Sequence, residues 1–197
     1  GWHALTKAPW EFFQANVYYP FYQSLATMDH YIGLIPLQVP VRLFSPNPVL
    51  AHNFVLIISF FLSGITMYAL VHYLTRNRWA SLLSGFLFAF HHVRTSVYIL
   101  QQIQVLSVEW FPLVFLFLER FIREGRHRWL FLFTLFFWLQ FLIGFYVAYS
   151  MTLGVFLYVL FSIFMRKNIL RARVIGGFAF FGAVSVVLLL VFYMPYI

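Results

Sequence analysis

The chain has 197 residues, 63% of them apolar and 9% charged, with a mean hydropathy of +0.85 and a formal net charge of +8. A soluble globular chain is about half apolar and a quarter charged, and one of this size hides only about 70% of its surface. An ordinary soluble domain is therefore excluded and a bilayer must cover the remainder. The absence of cysteine excludes disulfides, thiolate nucleophiles and cysteine metal sites.

Residues 1–47 stand apart. Six of the eight prolines fall by residue 48 (Pro9, Pro20, Pro36, Pro40, Pro46 and Pro48). Trp2, Trp10, Tyr18, Tyr19, Tyr22 and Tyr31 accompany them. Trp and Tyr favour the headgroup level, and proline breaks long helices. These residues are expected to form an external or interfacial segment, with a short helix or re-entrant piece near 29–44. The chain opens at Gly1 without a signal-peptide pattern and stops inside an apolar run at Ile197, so a piece of a longer protein is expected.

From Pro48 the pattern changes. Asn47-Pro48 opens an apolar run over 48–74, which ends at Thr75-Arg76-Asn77-Arg78. A second run covers 79–97. Polar residues close it and continue beyond it: His91, His92, Arg94, Thr95 and Ser96, then Gln101, Gln102 and Gln104. Residues 106–121 are apolar again, and 122–128 form a basic loop. The run 129–165 is long enough for two crossings at about 20 residues each, with a break expected at Gly144-Phe145-Tyr146. Arg166, Lys167, Arg171 and Arg173 follow, and 174–197 begins another crossing. The expected fold is all-α: over 48–197, a polytopic transmembrane bundle of about six crossings.

The basic residues sit in short loops between these runs, where membrane topology places them, so the positive charge does not point to nucleic acid. With 129–165 split in two, all three basic loops fall on one side. The positive-inside rule makes that side cytoplasmic. The opposite face then receives residues 1–47, the polar stretch 91–104 and the turn at Gly144.

Ionisable residues at membrane depth are costly and are functional candidates by default. Asp29-His30 is the only carboxylate–imidazole pair in the external segment. Asp29 is the candidate catalytic base; its alternative role is a helix N-cap. Glu11 is a second external carboxylate with a weaker claim. His30, His91, His92, Arg94 and Glu109 are candidate substrate-binding residues. Arg94 offers a planar fork for a phosphate, with a histidine as donor, or else snorkels to the headgroups. Adjacent histidines on a helix point about 100° apart, so His91 and His92 are not expected to share a metal. Glu109 could pair with Arg94 or a histidine, or form a buried structural pair. Glu119 and Glu124 read as solvated pairs with nearby arginines. His52 and Asn53 are placed to hydrogen-bond between helices, and Ser63-Gly64 and Ser84-Gly85 suit close helix packing. The chain has no P-loop, dinucleotide fingerprint, haem motif or zinc motif, and no inverted repeat of the transporter kind.

Several short stretches together suggest a family. They are Asn16-Val17-Tyr18-Tyr19-Pro20 with Asp29-His30; Ser63-Gly64 with Met67-Tyr68; Ala89-Phe90 leading to Gln104-Val105-Leu106-Ser107; and Trp110-Phe111-Pro112-Leu113 with Leu118-Glu119-Arg120. Over most of residues 2–150 the chain resembles the GT-C superfamily of membrane glycosyltransferases, in a bacterial group that uses polyprenyl-phosphate-linked sugars. The resemblance implies an external loop bearing a catalytic carboxylate, beside horizontal helices. It also implies that the sugar is taken at the outer face of the bacterial plasma membrane, with cations for the lipid phosphate. Arg94 or a divalent metal ion would serve as that cation, and no other cofactor is implied. The chain departs from the family in two places. The family's catalytic Asp follows a first helix that this chain lacks, so Asp29 does not simply inherit its role. Gln102 stands where the group often has His.

An inverting transfer would need a carboxylate to deprotonate the acceptor hydroxyl and cations to stabilise the leaving phosphate. The alternative reading is a non-catalytic integral membrane subunit that packs against other membrane subunits of a larger complex. A transporter would want ionisable residues near the midplane, and 48–74 and 129–165 offer almost none.

Overall fold

The structure is a computed structural model that describes residues 31–96, 102–165 and 172–193. Among these residues there is no strand, and seven helices of ten residues or more carry the fold. They are α1 (Ile35–Phe44), α2 (Pro48–Thr75), α3 (Arg78–Ala89), α4 (Phe111–Glu124), α5 (His127–Phe141), α6 (Phe145–Met165) and α7 (Ala172–Tyr193). Single turns stand at Ile32–Leu34, His92–Thr95 and Ile103–Leu106. The expected all-α membrane bundle is what the chain forms.

Local chemistry explains the helix ends. The Asn47 side chain accepts hydrogen bonds from the Val49 and Leu50 amides, and Pro48 occupies the first turn of α2, where its missing N–H costs nothing. Asn77 caps α3 in the same way through Trp79 and Ala80. The break expected within 129–165 falls at Gly144, between α5 and α6. Pro36 lies in the first turn of α1 and Pro40 within it, which keeps that helix short.

Helices α2, α6 and α7 are long and apolar enough to cross a membrane. The other three expected crossings are shorter than their apolar runs: α3, α4 and α5 have 12, 14 and 15 residues. At 1.5 Å per residue they reach roughly 18 to 22 Å, against a hydrocarbon core of about 30 Å. They stop short because α3 ends at Ala89 and α4 begins only at Phe111. The connection between them turns Arg94 and Glu109 inward, as described below.

Two packing devices set the bundle. Helices α2 and α3 touch backbone to backbone: a methyl group added at Gly85 would lie 2.6 Å from the Gly64 carbonyl oxygen. Helices α4 to α7 meet through rings. Phe181 lies 4.8 Å from Phe133 and 5.1 Å from Phe137, and Phe178 meets Phe121 edge-on at 5.7 Å. Lipid tails are as apolar as these side chains, so close packing rather than the hydrophobic effect holds the helices together. A second cluster joins the N-terminal segment to the bundle through Leu34, Leu37, Val55, Ile103 and Ile143. There the Gly33 amide donates to the Leu142 carbonyl at 3.1 Å.

Candidate functional site

Asp29, His30 and Glu11 lie outside the described residues. His91, His92, Arg94 and Glu109 lie within them, in the connection from α3 to α4, and the structure places Arg94 and Glu109 deeper than the sequence suggested. Ser59 bonds both Arg94 and Glu109, and it sits 11 residues into α2, roughly 17 Å below the Pro48 end. This correction has a plain cause. Helix α3 begins at the opposite end of α2 and has only 12 residues, so it stops near the middle of its neighbour.

The ends of three helices meet at that level. Helix α3 ends at Ala89, α4 begins at Phe111 and α5 ends at Phe141. Irregular backbone at membrane depth is tolerated only where protein or a water-filled cavity satisfies it. Arg94, only 6% exposed, does much of that. Its Nε donates to the Leu106 carbonyl at 3.1 Å. Its Nη1 reaches the Ala89 and Phe88 carbonyls at 3.2 and 3.4 Å, which are free acceptors at the end of α3. Its Nη2 donates to Ser59 Oγ at 3.3 Å. The guanidinium also lies 4.7 Å from the centre of the Phe60 ring.

Ser59 completes a relay. Its hydroxyl donates to Glu109 Oε2 at 2.6 Å while accepting from Arg94. Arg94 and Glu109, with no exposed surface on Glu109, are thus joined through one hydroxyl. Gln140 of α5 ties in the next strand of backbone by donating to the Ser107 carbonyl at 2.8 Å. Glu109 Oε1, Ser107 Oγ, Gln140 Oε1 and Trp110 Nε1 are buried without a protein partner. Buried polar atoms of this kind are normally satisfied by water or a bound group. The result is a polar floor set within membrane depth.

His91 and His92 are exposed, in the turn that follows α3. Arg94 has most of its donors committed to protein acceptors, so the expected phosphate fork is not open in this arrangement, and neither does Arg94 snorkel. Glu109 is held by Ser59 and not by a histidine. His52 and Asn53 are exposed near the start of α2. Ser59 and Gln140 were not singled out by sequence reasoning. Gln140 had a signal, as the only side-chain amide in the run 129–165; Ser59 resembles any other small residue in a membrane helix.

Beside the floor, along the outer seam of α2 and α3, lies an open apolar groove of about 640 Å³. Ile57, Phe60, Gly64, Tyr68, Gly85 and Phe90 are among the residues that line it. Phe60 and Phe90 stack at 5.8 Å, and the Arg94 guanidinium lies 4.7 Å from the Phe60 ring, so one lining ring of the groove also touches the polar floor.

The opposite end of the bundle corrects one expectation. Glu119 is not solvated: it is 1% exposed and accepts from both Arg123 and the Tyr158 hydroxyl, linking α4 to α6. It lies one turn after Phe115, whose ring meets Tyr158 edge-on at 5.9 Å, so that face of α4 points at α6. Glu124 is the exposed member, paired with Arg126 at 3.4 Å.

Among the described residues no three His, Asp or Glu side chains come together as a metal site. Comparison with protein-family models, curated proteins and solved structures found no match.

Proposed function

We propose that this integral membrane protein is a glycosyltransferase of the GT-C kind, which moves a sugar from a polyprenyl phosphate carrier to an acceptor at the outer face of a bacterial plasma membrane. The observation that carries the reading is an open apolar groove of about 640 Å³ whose Phe60 ring contacts Arg94 of the polar floor. A polyprenyl phosphate has the same two parts, an apolar chain and an anionic head. The resemblance over residues 2–150 supports the same reading, and the three basic loops orient the floor toward the outer face.

Each group then has a task. The groove along α2 and α3 holds part of the prenyl chain. His91 and His92 donate to the phosphate, alone or with a divalent metal ion. Arg94 holds the floor together and adds positive potential beneath the phosphate, with Glu109 fixing it through Ser59. Asp29 takes the proton from the acceptor hydroxyl as it attacks the anomeric carbon and the lipid phosphate leaves.

The test is transfer from a panel of radiolabelled polyprenyl-phosphate sugars by the full-length protein in nanodiscs. Asp29→Asn should lower kcat by roughly 10²- to 10⁴-fold, as expected for loss of a general base. Ile65→Trp, which fills the groove from the lipid side, should raise KM for the carrier with kcat little changed. Full activity in Asp29→Asn would put the base elsewhere in the protein. No transfer from any donor by folded protein would favour the non-catalytic subunit. That second reading draws on the apolar surface of α6 and α7, whose spanning windows are only 22% and 11% buried and leave wide faces for a partner.

A further inference from the structure

At the end of the bundle opposite the polar floor, arginines gather around two rings. The guanidinium carbons of Arg120, Arg76 and Arg123 lie 4.8, 5.8 and 5.8 Å from the centre of the Tyr73 ring. The Arg120 guanidinium also lies 4.5 Å from the centre of the Trp129 ring, and Arg128 stacks on Trp129 at 4.3 Å. Arg173 approaches through Gly125, whose added Cβ would lie 4.0 Å from the Arg173 Cβ.

The charges here do not balance. Glu119 is occupied by Arg123 and Tyr158. Glu124 is occupied by Arg126, Arg128 and the Trp129 indole. Among the described residues no carboxylate pairs with Arg76 or Arg120, and Arg120 Nε is buried without a partner. Cation–ring contacts position these guanidinium groups but supply no counter-charge.

Depth identifies the missing anion. Tyr73 is in the last turn of α2, a helix of crossing length, so the cluster stands at the level of the lipid headgroups, and Tyr and Trp are the rings that favour this level. We propose that the cluster of Arg76, Tyr73, Arg120 and Trp129 binds the phosphate of an anionic phospholipid. The planar Arg120 fork, in contact with both rings, meets the phosphodiester oxygens, and Arg76 supplies the second charge. This site is separate from the polar floor and does not rest on the glycosyltransferase reading.

The test is native mass spectrometry of the protein released from nanodiscs of equimolar phosphatidylglycerol and phosphatidylcholine. The wild type should retain phosphatidylglycerol in preference. Arg120→Gln and Arg76→Gln should each weaken that preference about fivefold, the value of one arginine at a headgroup surface. Arg42→Gln should leave it unchanged, because Arg42 bonds the Pro46 carbonyl at the other end of α2. Helix content by circular dichroism checks that each variant is folded, and Arg76→Gln alters only an exposed side chain. Equal retention of the two lipids by the wild type would overturn the proposal. So would an unchanged preference in both arginine variants, and so would displacement of the lipid by millimolar inorganic phosphate, which would mark a site for a soluble anion.

Discussion

Arg94→Leu is expected to destabilise the folded protein by about 4 kcal/mol, the scale seen when one member of a buried charged network is removed. The loss has two parts. The carbonyls of Ala89 and Leu106 lose their donor at a depth where water cannot readily replace it. Glu109, fully buried and reached through Ser59, loses the guanidinium joined to it by hydrogen bonds. Equilibrium unfolding in mixed detergent micelles would measure the change. The double variant Arg94→Met, Glu109→Gln should cost less than the sum of its singles, because the second change removes the stranded charge. Strict additivity would show that the two residues are not coupled and would sink the relay.

Gly33→Ala should cost about 3 kcal/mol, at the upper end for overpacking. An added Cβ would stand 1.9 Å from the Leu139 carbonyl oxygen and 2.6 Å from the Ile143 side chain. The first of these is backbone near the end of α5 and cannot turn aside. The Gly33 amide, which bonds the Leu142 carbonyl, would have to move away with it. Damage should concentrate where α1 meets the bundle. The chain has no cysteine, so a Leu37→Cys reporter can be labelled without background. Leu37 is 9% exposed, and its labelling should accelerate about 100-fold in the Gly33→Ala background if local opening controls access. An unchanged rate would mean that α1 is not held through Gly33.

Helix identity was legible in the sequence where one residue type decides it. Asn47 and Asn77 announce the starts of α2 and α3, Gly144 marks the break between α5 and α6, and the paired small residues point to the Gly64–Gly85 contact. Helix length was not legible, because hydropathy scores each side chain and not the distance it reaches. The runs 79–97 and 106–121 look like full crossings, yet α3 ends at Ala89 and α4 begins at Phe111, with Arg94 bonding carbonyls as far as Leu106, 12 residues on. Burial of Glu119 escaped for a related reason. Its neighbours in sequence are arginines, while its decisive partner, Tyr158, is 39 residues away. Of the candidate site, His91, His92, Arg94 and Glu109 were visible as polar residues in apolar surroundings. The linking hydroxyl of Ser59 was not, because only the fold brings it between two charges.

The unequal lengths of the helices bear on how the protein is made. Helices α2, α6 and α7 each carry enough apolar length to partition into a bilayer unaided. Helices α3, α4 and α5 do not, and their ends meet at carbonyls that need Arg94 and Gln140 in place. During synthesis α2 should therefore enter the membrane ahead of α3, α4 and α5, and the α4–α5 hairpin should linger at the translocon until α6 emerges. Protease protection of stalled nascent chains would reveal this order: α5 accessible in chains that stop before Phe145, and shielded once α6 has been released.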